Sequence, residues 1–398
     1  MRRNREAGQT LIFVALGMVM LGAILGLAVD LGYMRYVKRR LQTAADSAAI
    51  AGAAETNYGD VTSAAKADAA TNGFTDGTNG VTVTVNTPPV AGPNQGKQGY
   101  VEVLISRIQP TFFIRIVPGS HTNSTVKARA VAYLGNSKGC IFSLHGDITV
   151  HHDAEVDAQL CAILDNGNLT LHSGARVTAS AIGVGGSVSN SGSVLTPTPQ
   201  TGMIPASDPL GYLSTQNPGG CDVTNLIINS GIRILNQGVF CGGITISGSA
   251  AVTFNPGLYV IKPIGGLPAG LVINSSGTVS GDGVTFYNGA ASGPLSISST
   301  GTVSLTAPTS GPYAGILMFQ DPSNTSSATV GGGSNSTFVG ALYFPNAPLS
   351  INNIGLGGAC TIVVASSVDI RGNTNRFNAN LSLSLGGCSP IKDAVLTE

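Results

Sequence analysis

The sequence has few charged side chains, no tryptophan and no excess of charge of either sign. Its 398 residues include twenty basic and twenty acidic side chains, and charged residues make up only 10% of the chain, against about 25% in an average soluble domain. A protein that binds nucleic acid by neutralising phosphates would have a basic excess, so we expect no nucleic-acid partner. A disordered chain would be less apolar than this one, which is 42% hydrophobic.

Local motifs of catalysis are also missing. The sequence has no GxSxG, P-loop, HExxH or GxGxxG, and its cysteines lack the spacing of a zinc site. Solenoid enzymes build their sites from clustered carboxylates, but the charges in the region after residue 139 are scattered. They include Asp165, Arg176, Asp222, Arg233, Asp282, Asp369 and Arg371. We therefore predict no enzyme, no catalytic residues, no metal site and no cofactor.

The neutral total hides a basic N-terminus around an apolar segment. Residues 1–40 contain seven bases and two acids, a net charge of +5, and the other 358 residues have a net charge of −5. Residues 7–29 carry no charge and would form a helix of about 34 Å, enough to cross a hydrocarbon core of about 30 Å. The sequence predicts an uncleaved membrane anchor, with a cleaved signal peptide as the alternative.

The six cysteines indicate on which side of the membrane the rest of the chain lies. All of them follow residue 139, in sequence typical of strands, and disulfides form in oxidising compartments. We predict a cytoplasmic N-terminus, a single span of the inner membrane, and a C-terminal region that is periplasmic or extracellular. The neighbours in sequence are the predicted pairs: Cys140 with Cys161, Cys221 with Cys241, and Cys360 with Cys388.

A heptad-like stripe of apolar residues follows the anchor. Its residues are spaced three and four apart, and small alanines allow close helix approach. They are Met34, Val37, Leu41, Ala44, Ala48 and Ala51. The pattern predicts one extended helix over residues 33–75. This face packs either on the sheet of its own domain or on other single-span subunits, and the first is the usual fate of an amphipathic face.

The N-terminal fifty residues resemble a known family. The features are Gly8-Gln9, the apolar span, Asp30-Leu31-Gly32, and the alanine-rich block from Leu41-Gln42 to Ala51-Gly52-Ala53. This arrangement is similar to the N-terminal module of TadG-like proteins of the tight-adherence (Flp pilus) system. The resemblance implies a membrane-anchored envelope protein whose partners are pilus-assembly or pseudopilin-like proteins. Phe13 stands where a type IV pilin would carry glutamate, which argues against cleavage by a prepilin peptidase.

Residues 76–136 are predicted to form a small β-rich, pilin-like module. The segments 81–86, 100–106 and 126–134 alternate apolar and polar residues, as strands with one buried face do. Residues 109–117 are expected to form a short helix between the second and third strands.

From residue 137 the chain repeats. Segments starting at Ile148, Leu169, Ile244, Leu271, Leu295 and Leu349 share an apolar-x-apolar strand, followed by a polar turn and, in the first five, by valine. Units of about 25 residues predict a right-handed, single-stranded parallel β-helix of about ten coils, with a β-sandwich as the alternative. The 54 glycines would serve its turns. The proline-rich residues 186–220 break the pattern and are interpreted as an inserted loop or flap.

Three further expectations concern this second region. Cys388 would fasten the last coil and protect an open edge of the solenoid. His151 and His172 occupy the same repeat position and would stack about 5 Å apart. Asp321 begins a DxSxT-like segment similar to the metal motif of von Willebrand factor A domains, and we interpret it as a turn because the surrounding fold is missing.

These features predict four regions in a mainly β chain: a cytoplasmic tip and anchor (1–32), the extended helix (33–75), the small module (76–136) and the β-helix (137–398). The expected function is that of a non-catalytic, membrane-anchored protein in pilus assembly or surface adhesion. The alternatives are an anchored carbohydrate-active β-helix enzyme and an independent adhesin for a glycan or other surface ligand.

Overall fold

The computed structural model describes residues 7–57, 60–116, 122–136, 139–203, 205–217, 219–265, 269–333, 335–354, 360–372, 375–379 and 390–397. The chain divides into two compact units. Unit 1 consists of Met1–Gly135 together with Asp393–Glu398, and unit 2 of Asn136–Lys392. The predicted mainly β chain with a parallel solenoid is confirmed, because long parallel ladders make up most of the structure.

The helical part of unit 1 includes the whole apolar segment. Helix α1 runs without a break from Ala7 to Ala54, and it is followed by a 3-10 turn, Glu55–Asn57, and helix α2, Val61–Thr71. The prediction of one extended helix over residues 33–75 is therefore wrong. Asp60 starts a new helix, because its carboxylate accepts hydrogen bonds from the backbone N–H groups of Thr62 and Ser63.

An antiparallel sheet covers these helices. Strands β1 (Val81–Asn86), β2 (Tyr100–Pro110) and β3 (Asn123–Asn136) pair in sequence order. The expected helix over residues 109–117 is absent from its described part, since β2 extends to Pro110 and only Ile114–Ile116 forms a 3-10 turn. The fourth strand of this sheet is the C-terminal strand, Lys392–Leu396, which lies next to β3. The predicted boundary of 137–398 for the β-helix is corrected accordingly.

Unit 2 contains 24 described strands. The first seven, which follow directly from unit 1, are β4 (Gly139–Ser143), β5 (Ile148–Val150), β6 (Glu155–Asp165), β7 (Leu169–Leu171), β8 (Arg176–Val184), β9 (Val188–Asn190) and β10 (Val194–Thr196). The next eight are β11 (Gln200–Thr201), β12 (Val223–Ile228), β13 (Ile232–Leu235), β14 (Gly238–Gly248), β15 (Ala251–Phe254), β16 (Gly257–Lys262), β17 (Leu271–Ser275) and β18 (Val279–Gly281). The last nine are β19 (Val284–Asn288), β20 (Ser296–Ser298), β21 (Val303–Thr306), β22 (Ile316–Gln320), β23 (Ala328–Gly331), β24 (Thr337–Asn352), β25 (Cys360–Arg371), β26 (Asn375–Arg376) and β27 (Asn378–Ala379).

The six sequence repeats lie on one face of this solenoid. Ile148 pairs with Leu169, Ile244 with Leu271, and Leu349 lies in the same ladder. The valines that end the first five repeats form the adjoining face, where for example Val156 pairs with Val177. Each repeat is thus a strand, a corner and a second strand. Alternate residues point into a common core because one coil cannot bury its apolar face alone.

On the repeat-bearing face, ten strands stack in one continuous parallel ladder within the described residues. In spatial order they belong to β12, β14, β17, β20, β23, β24, β25, β5, β7 and β9. Nine intervals of about 4.8 Å give a stack of roughly 43 Å. This agrees with the expected ten coils, but the order of the coils differs from the order of the sequence.

The chain enters the solenoid in the middle of the stack. From β4 it builds three coils outward to β11 and then starts again at the opposite end with β12. The later coils return toward the start, so that β25 pairs with β4 and β5, with Val363 opposite Ile141 and Val368 opposite Ile148. The coil of Cys360 is therefore internal. Cys388, which was expected to protect an open edge of the last coil, lies outside the described residues, but the coil of its predicted partner Cys360 is not at an open edge.

The connecting segment, residues 202–222, links the two ends along the outside of the stack. Asn166 hydrogen-bonds Ala206, Tyr343 donates to Asp208, and Lys262 donates to the Gly219 carbonyl. The predicted inserted loop over residues 186–220 is therefore corrected at its start. Strands β9, β10 and β11 still belong to the outermost of the first three coils, and the segment is a brace that touches several coils along the stack.

Candidate functional sites

The N-terminal half of α1 is a candidate membrane anchor. Within its most apolar 18-residue window only 6% of the residues are buried. A helix in the core of a soluble domain would be mostly buried, whereas Leu11, Phe13 and Val19 are each more than 70% exposed. A lipid environment is the solvent that such a surface favours.

The predicted helix-packing stripe lies in the core of its own unit. Val37, Leu41, Ala44 and Ala48 are buried, and Met34 and Ala51 are partly buried. They belong to an apolar cluster that includes Val101, Val103 and Ile105 of β2. Of the two alternatives, packing on the domain's own sheet is the one observed. Most of this stripe is therefore covered by the protein's own sheet, so partner contacts would mainly use other faces of α1.

Asp30 joins the end of the apolar segment to the small module. It is 3% exposed, and its carboxylate accepts hydrogen bonds from the backbone N–H groups of Phe112, Phe113 and Ile114 at 2.8–3.0 Å. Sequence reasoning used Asp30 only as a family feature and missed this role. An acidic residue directly after a charge-free run of 23 residues was the available signal, because a buried carboxylate needs donors.

Two of the predicted disulfides are present in the described residues. Cys140 is joined to Cys161 and Cys221 to Cys241, with Cα atoms 5.6 and 5.7 Å apart. Each bond links neighbouring coils, as the spacing argument predicts. Cys360 is also disulfide-bonded, but its predicted partner Cys388 lies outside the described residues, so this pair stays a prediction.

The histidine cluster on the solenoid contains the predicted stack. The rings of His151 and His172 lie 5.2 Å apart, and those of His152 and His172 5.0 Å apart. His151 Nε2 lies 2.6 Å from the Asp369 carboxylate, which also accepts from Arg371. Burial opposes the charge on Asp369, but Arg371 and His151 outweigh it and lower the pKa of this carboxyl. Since Asp369 lies on β25 and His151 follows β5, the cluster fastens the two coils where the ends of the domain's sequence meet.

Other carboxylates of the solenoid hold turns. The Asp321 carboxylate accepts hydrogen bonds from the N–H and hydroxyl groups of Ser323. These bonds are those of a turn, in agreement with the interpretation of the DxSxT-like segment. Asp165 accepts from the N–H groups of Ile148 and Gly167, and burial raises its pKa to about 6. No group of three or more His, Cys, Asp or Glu side chains suited to a metal ion occurs among the residues that the structure describes.

Comparison with known proteins identifies the N-terminal module. Residues 8–55 match the model of the Tad family, described as "Putative Flp pilus-assembly TadE/G-like". The match covers nearly all of α1, including the candidate anchor, Asp30 and the buried stripe, and it confirms the resemblance of this module. No curated protein and no solved structure matches the chain.

Proposed function

We propose that this protein is a membrane-anchored envelope component of a tight-adherence (Flp) pilus system, with a non-catalytic solenoid as its structural or binding body. The observation that carries the proposal is the match of residues 8–55 to a pilus-assembly family. In those same residues, α1 changes from an exposed apolar helix to one buried in its own module. One continuous helix therefore both anchors the chain in the cytoplasmic membrane and carries a folded body outside it.

The solenoid has features that favour a structural role. Parallel ladders run through ten coils, and the connecting segment braces them on the outside. Asp321 and Asp369 bond turns and neighbouring coils. Asp165 lies near Asp147, but its two carboxylate oxygens are used by the backbone N–H groups of Ile148 and Gly167. Catalysis on glycans needs two carboxyl groups about 5–9 Å apart with access to substrate.

Photo-crosslinking through the exposed part of α1 tests the pilus assignment. A photo-reactive residue replaces Leu16, which is 62% exposed, in cells that assemble the pilus; the control carries it at Val90, an exposed residue of the β1–β2 connection. We expect the probe at position 16 to capture a component of the pilus machinery, and the probe at position 90 not to capture the same component. Capture of lipid alone from positions 16, 20 and 24, with normal pili after deletion of the gene, would contradict the proposal.

Trapping of thiols in intact cells tests the compartment. If unit 2 is exported, Cys140 and Cys161 are oxidised before lysis and resist alkylation. Free thiols at both positions in a protein that stays in the membrane fraction would place unit 2 in the cytoplasm.

An enzymatic assay tests the carbohydrate-active alternative. Release of a specific product from envelope polysaccharides by the full chain would support that alternative.

A further inference from the structure

The segment from Phe112 to Ile114 is fixed against α1 at the end of its apolar run. The Asp30 carboxylate accepts all three consecutive backbone N–H groups of this segment, one on Oδ1 and two on Oδ2. Hydrogen bonds to a charged acceptor are stronger than neutral ones. Residues 112–114 are therefore held beside Asp30, at a fixed position along α1.

Phe113 packs on a glycine of the predicted span. A Cβ atom added to Gly26 would lie 2.9 Å from the Phe113 Cβ and Cγ atoms, so only glycine allows this contact. Gly22 and Gly26 have the spacing at which apolar helices in membranes often pack on each other. Here the protein's own aromatic ring occupies part of that surface. Beside the ring lies an apolar groove of about 660 Å³, lined by Val19, Met20, Ala23, Leu27 and Ile114 among others.

The position of the Phe113–Gly26 contact along α1 places it inside the membrane-spanning segment. The charge-free run ends at Val29, three residues after Gly26, which corresponds to about 5 Å of helix. A ring that touches Gly26 thus reaches the outermost turn of the span. Phe112 and Phe113 are nevertheless each 46% exposed in the protein alone. Two exposed phenylalanines beside a lipid-facing helix would be costly in water and favourable in lipid.

The residues above the contact have the character of a membrane interface. Tyr33 meets Phe112 edge-on with ring centroids 5.5 Å apart, and Tyr36 follows one turn later at 6.3 Å from Tyr33. The exposed bases Arg35 and Lys38 lie on either side of Tyr36 along α1. Tyrosines at the level of the lipid headgroups, followed by bases that bind lipid phosphates, are typical of the ends of membrane spans.

We propose that Phe112 and Phe113 form a second membrane contact, inserted into the leaflet at the C-terminal end of the span, and that a lipid acyl chain fills the groove beside Phe113. A single helix leaves the small module free to tilt on the bilayer. A second insertion point, tied to the helix through Asp30, fixes which face of the module meets the lipid headgroups. This inference rests on the anchoring role of α1 in the proposed function.

The absence of tryptophan from the chain makes a direct test available. Full-length F112W, F113W, F13W and V90W proteins each carry a single tryptophan and are reconstituted in phosphatidylcholine–phosphatidylglycerol vesicles. Lipids brominated near the headgroup or near the chain end then quench tryptophan according to its depth. F112W is the main reporter, because an indole at position 113 would press on Gly26. F13W marks the interior of the span, about 8 Å from its midpoint at Met18, and V90W marks the aqueous face.

We expect shallow bromine to quench the F112W protein at least about twofold more than the V90W protein, with a blue-shifted emission, as for an aromatic residue at the interface. The F13W protein should be quenched most by deep bromine. Quenching of F112W by an aqueous quencher to the same extent as V90W, or shielding of the indole of F112W from both lipid and water, would overturn the inference while leaving the anchor intact. Lack of lipid quenching of F13W would instead remove the anchor itself.

Discussion

The two units bury their polar groups in different ways. In unit 1, Glu102 is fully buried and accepts hydrogen bonds from Arg129, Asn86 and the Val90 N–H at 2.6–3.0 Å. In unit 2, the corners of successive coils bring backbone against backbone; a Cβ atom added to Gly301 would lie 2.1 Å from the Gly277 carbonyl oxygen. The small module thus contains a buried ion pair, whereas the close approach of the coils requires glycine at corners such as Gly301.

The largest expected effect comes from removing the buried charge of unit 1. Glu102→Ala leaves the Asn86 and Val90 donors without their acceptor and Arg129 without its ion pair. Loss of one partner of a buried pair costs about 3–5 kcal/mol. Hydrogen exchange followed by mass spectrometry on the full chain should show lost protection in β1–β3 only.

Glu155→Ala is the matched control in unit 2, because Glu155 is exposed. We expect its effect on exchange to stay within about 0.5 kcal/mol. An equal loss of protection from both variants would contradict the contrast between the units.

The corner glycines of unit 2 give the second prediction. In Gly301→Ala the added methyl group collides with the backbone of the preceding coil, which cannot move without breaking its own ladder. We expect a loss of about 3 kcal/mol, at the upper end of overpacking effects. Thermal unfolding followed by limited proteolysis measures it.

Gly219→Ala makes the same chemical change in the connecting segment, where a Cβ atom meets nothing within 4 Å. It should be close to neutral. If Gly301→Ala were also neutral, the close approach of the coils would not be a constraint on the sequence.

The C-terminal strand gives a smaller effect that separates the units. A chain ending at Lys392 loses most of that strand and with it the hydrogen bonds of Thr397 to Val131 and Asn94. We expect unit 1 to lose about 2 kcal/mol, from a few net hydrogen bonds, and unit 2 to keep its exchange protection. Thr397→Ala should show the same pattern more weakly. Loss of protection in the solenoid instead would assign the C-terminus to unit 2.

The smallest prediction concerns pH. Burial raises the pKa of Asp165 to about 6, so the folded state binds more protons than the unfolded state between this value and the ordinary value of 3.8. The stability of the wild type relative to Asp165→Asn should therefore rise by about 1 kcal/mol as the pH falls from about 7 to about 5. Urea unfolding of unit 2 at a series of pH values measures it. If the difference in unfolding free energy between the wild type and Asp165→Asn did not change across this pH range, the raised pKa of Asp165 would be contradicted.

Glu102 gives the opposite sign in unit 1. Although burial disfavours its charge, the bonds from Val90, Asn86 and Arg129 lower its pKa below the ordinary value of 4.5. Its contribution is present at neutral pH and is lost as the pH falls through the lowered pKa. Acid below about pH 4.5 should therefore separate the two units in an exchange experiment, with unit 1 losing protection first.

Much of the local structure was predictable because local patterns carry it. The charge-free run predicted the apolar half of α1, the alternating residues predicted β1–β3, and the spacing of cysteines predicted the pairs Cys140–Cys161 and Cys221–Cys241. The stripe from Met34 to Ala51 predicted a packed face, though not which surface would cover it. The break at Asp60 was missed because alanine-rich sequence continues on both sides of it.

The sequence by itself determined the elements of this protein: an apolar helix of membrane-spanning length, a Tad-like N-terminal module, and repeats that can only bury their faces by stacking. Only the tertiary structure decided the order of the coils, the pairing of β25 with β4, and the return of the C-terminal strand to unit 1. The physical reason is that the repeats present nearly equivalent apolar strands, so that any coil fits against any other. The choice depends on long-range connections, above all the connecting segment. Its 21 residues can extend to about 70 Å, more than enough to cover a stack of roughly 43 Å.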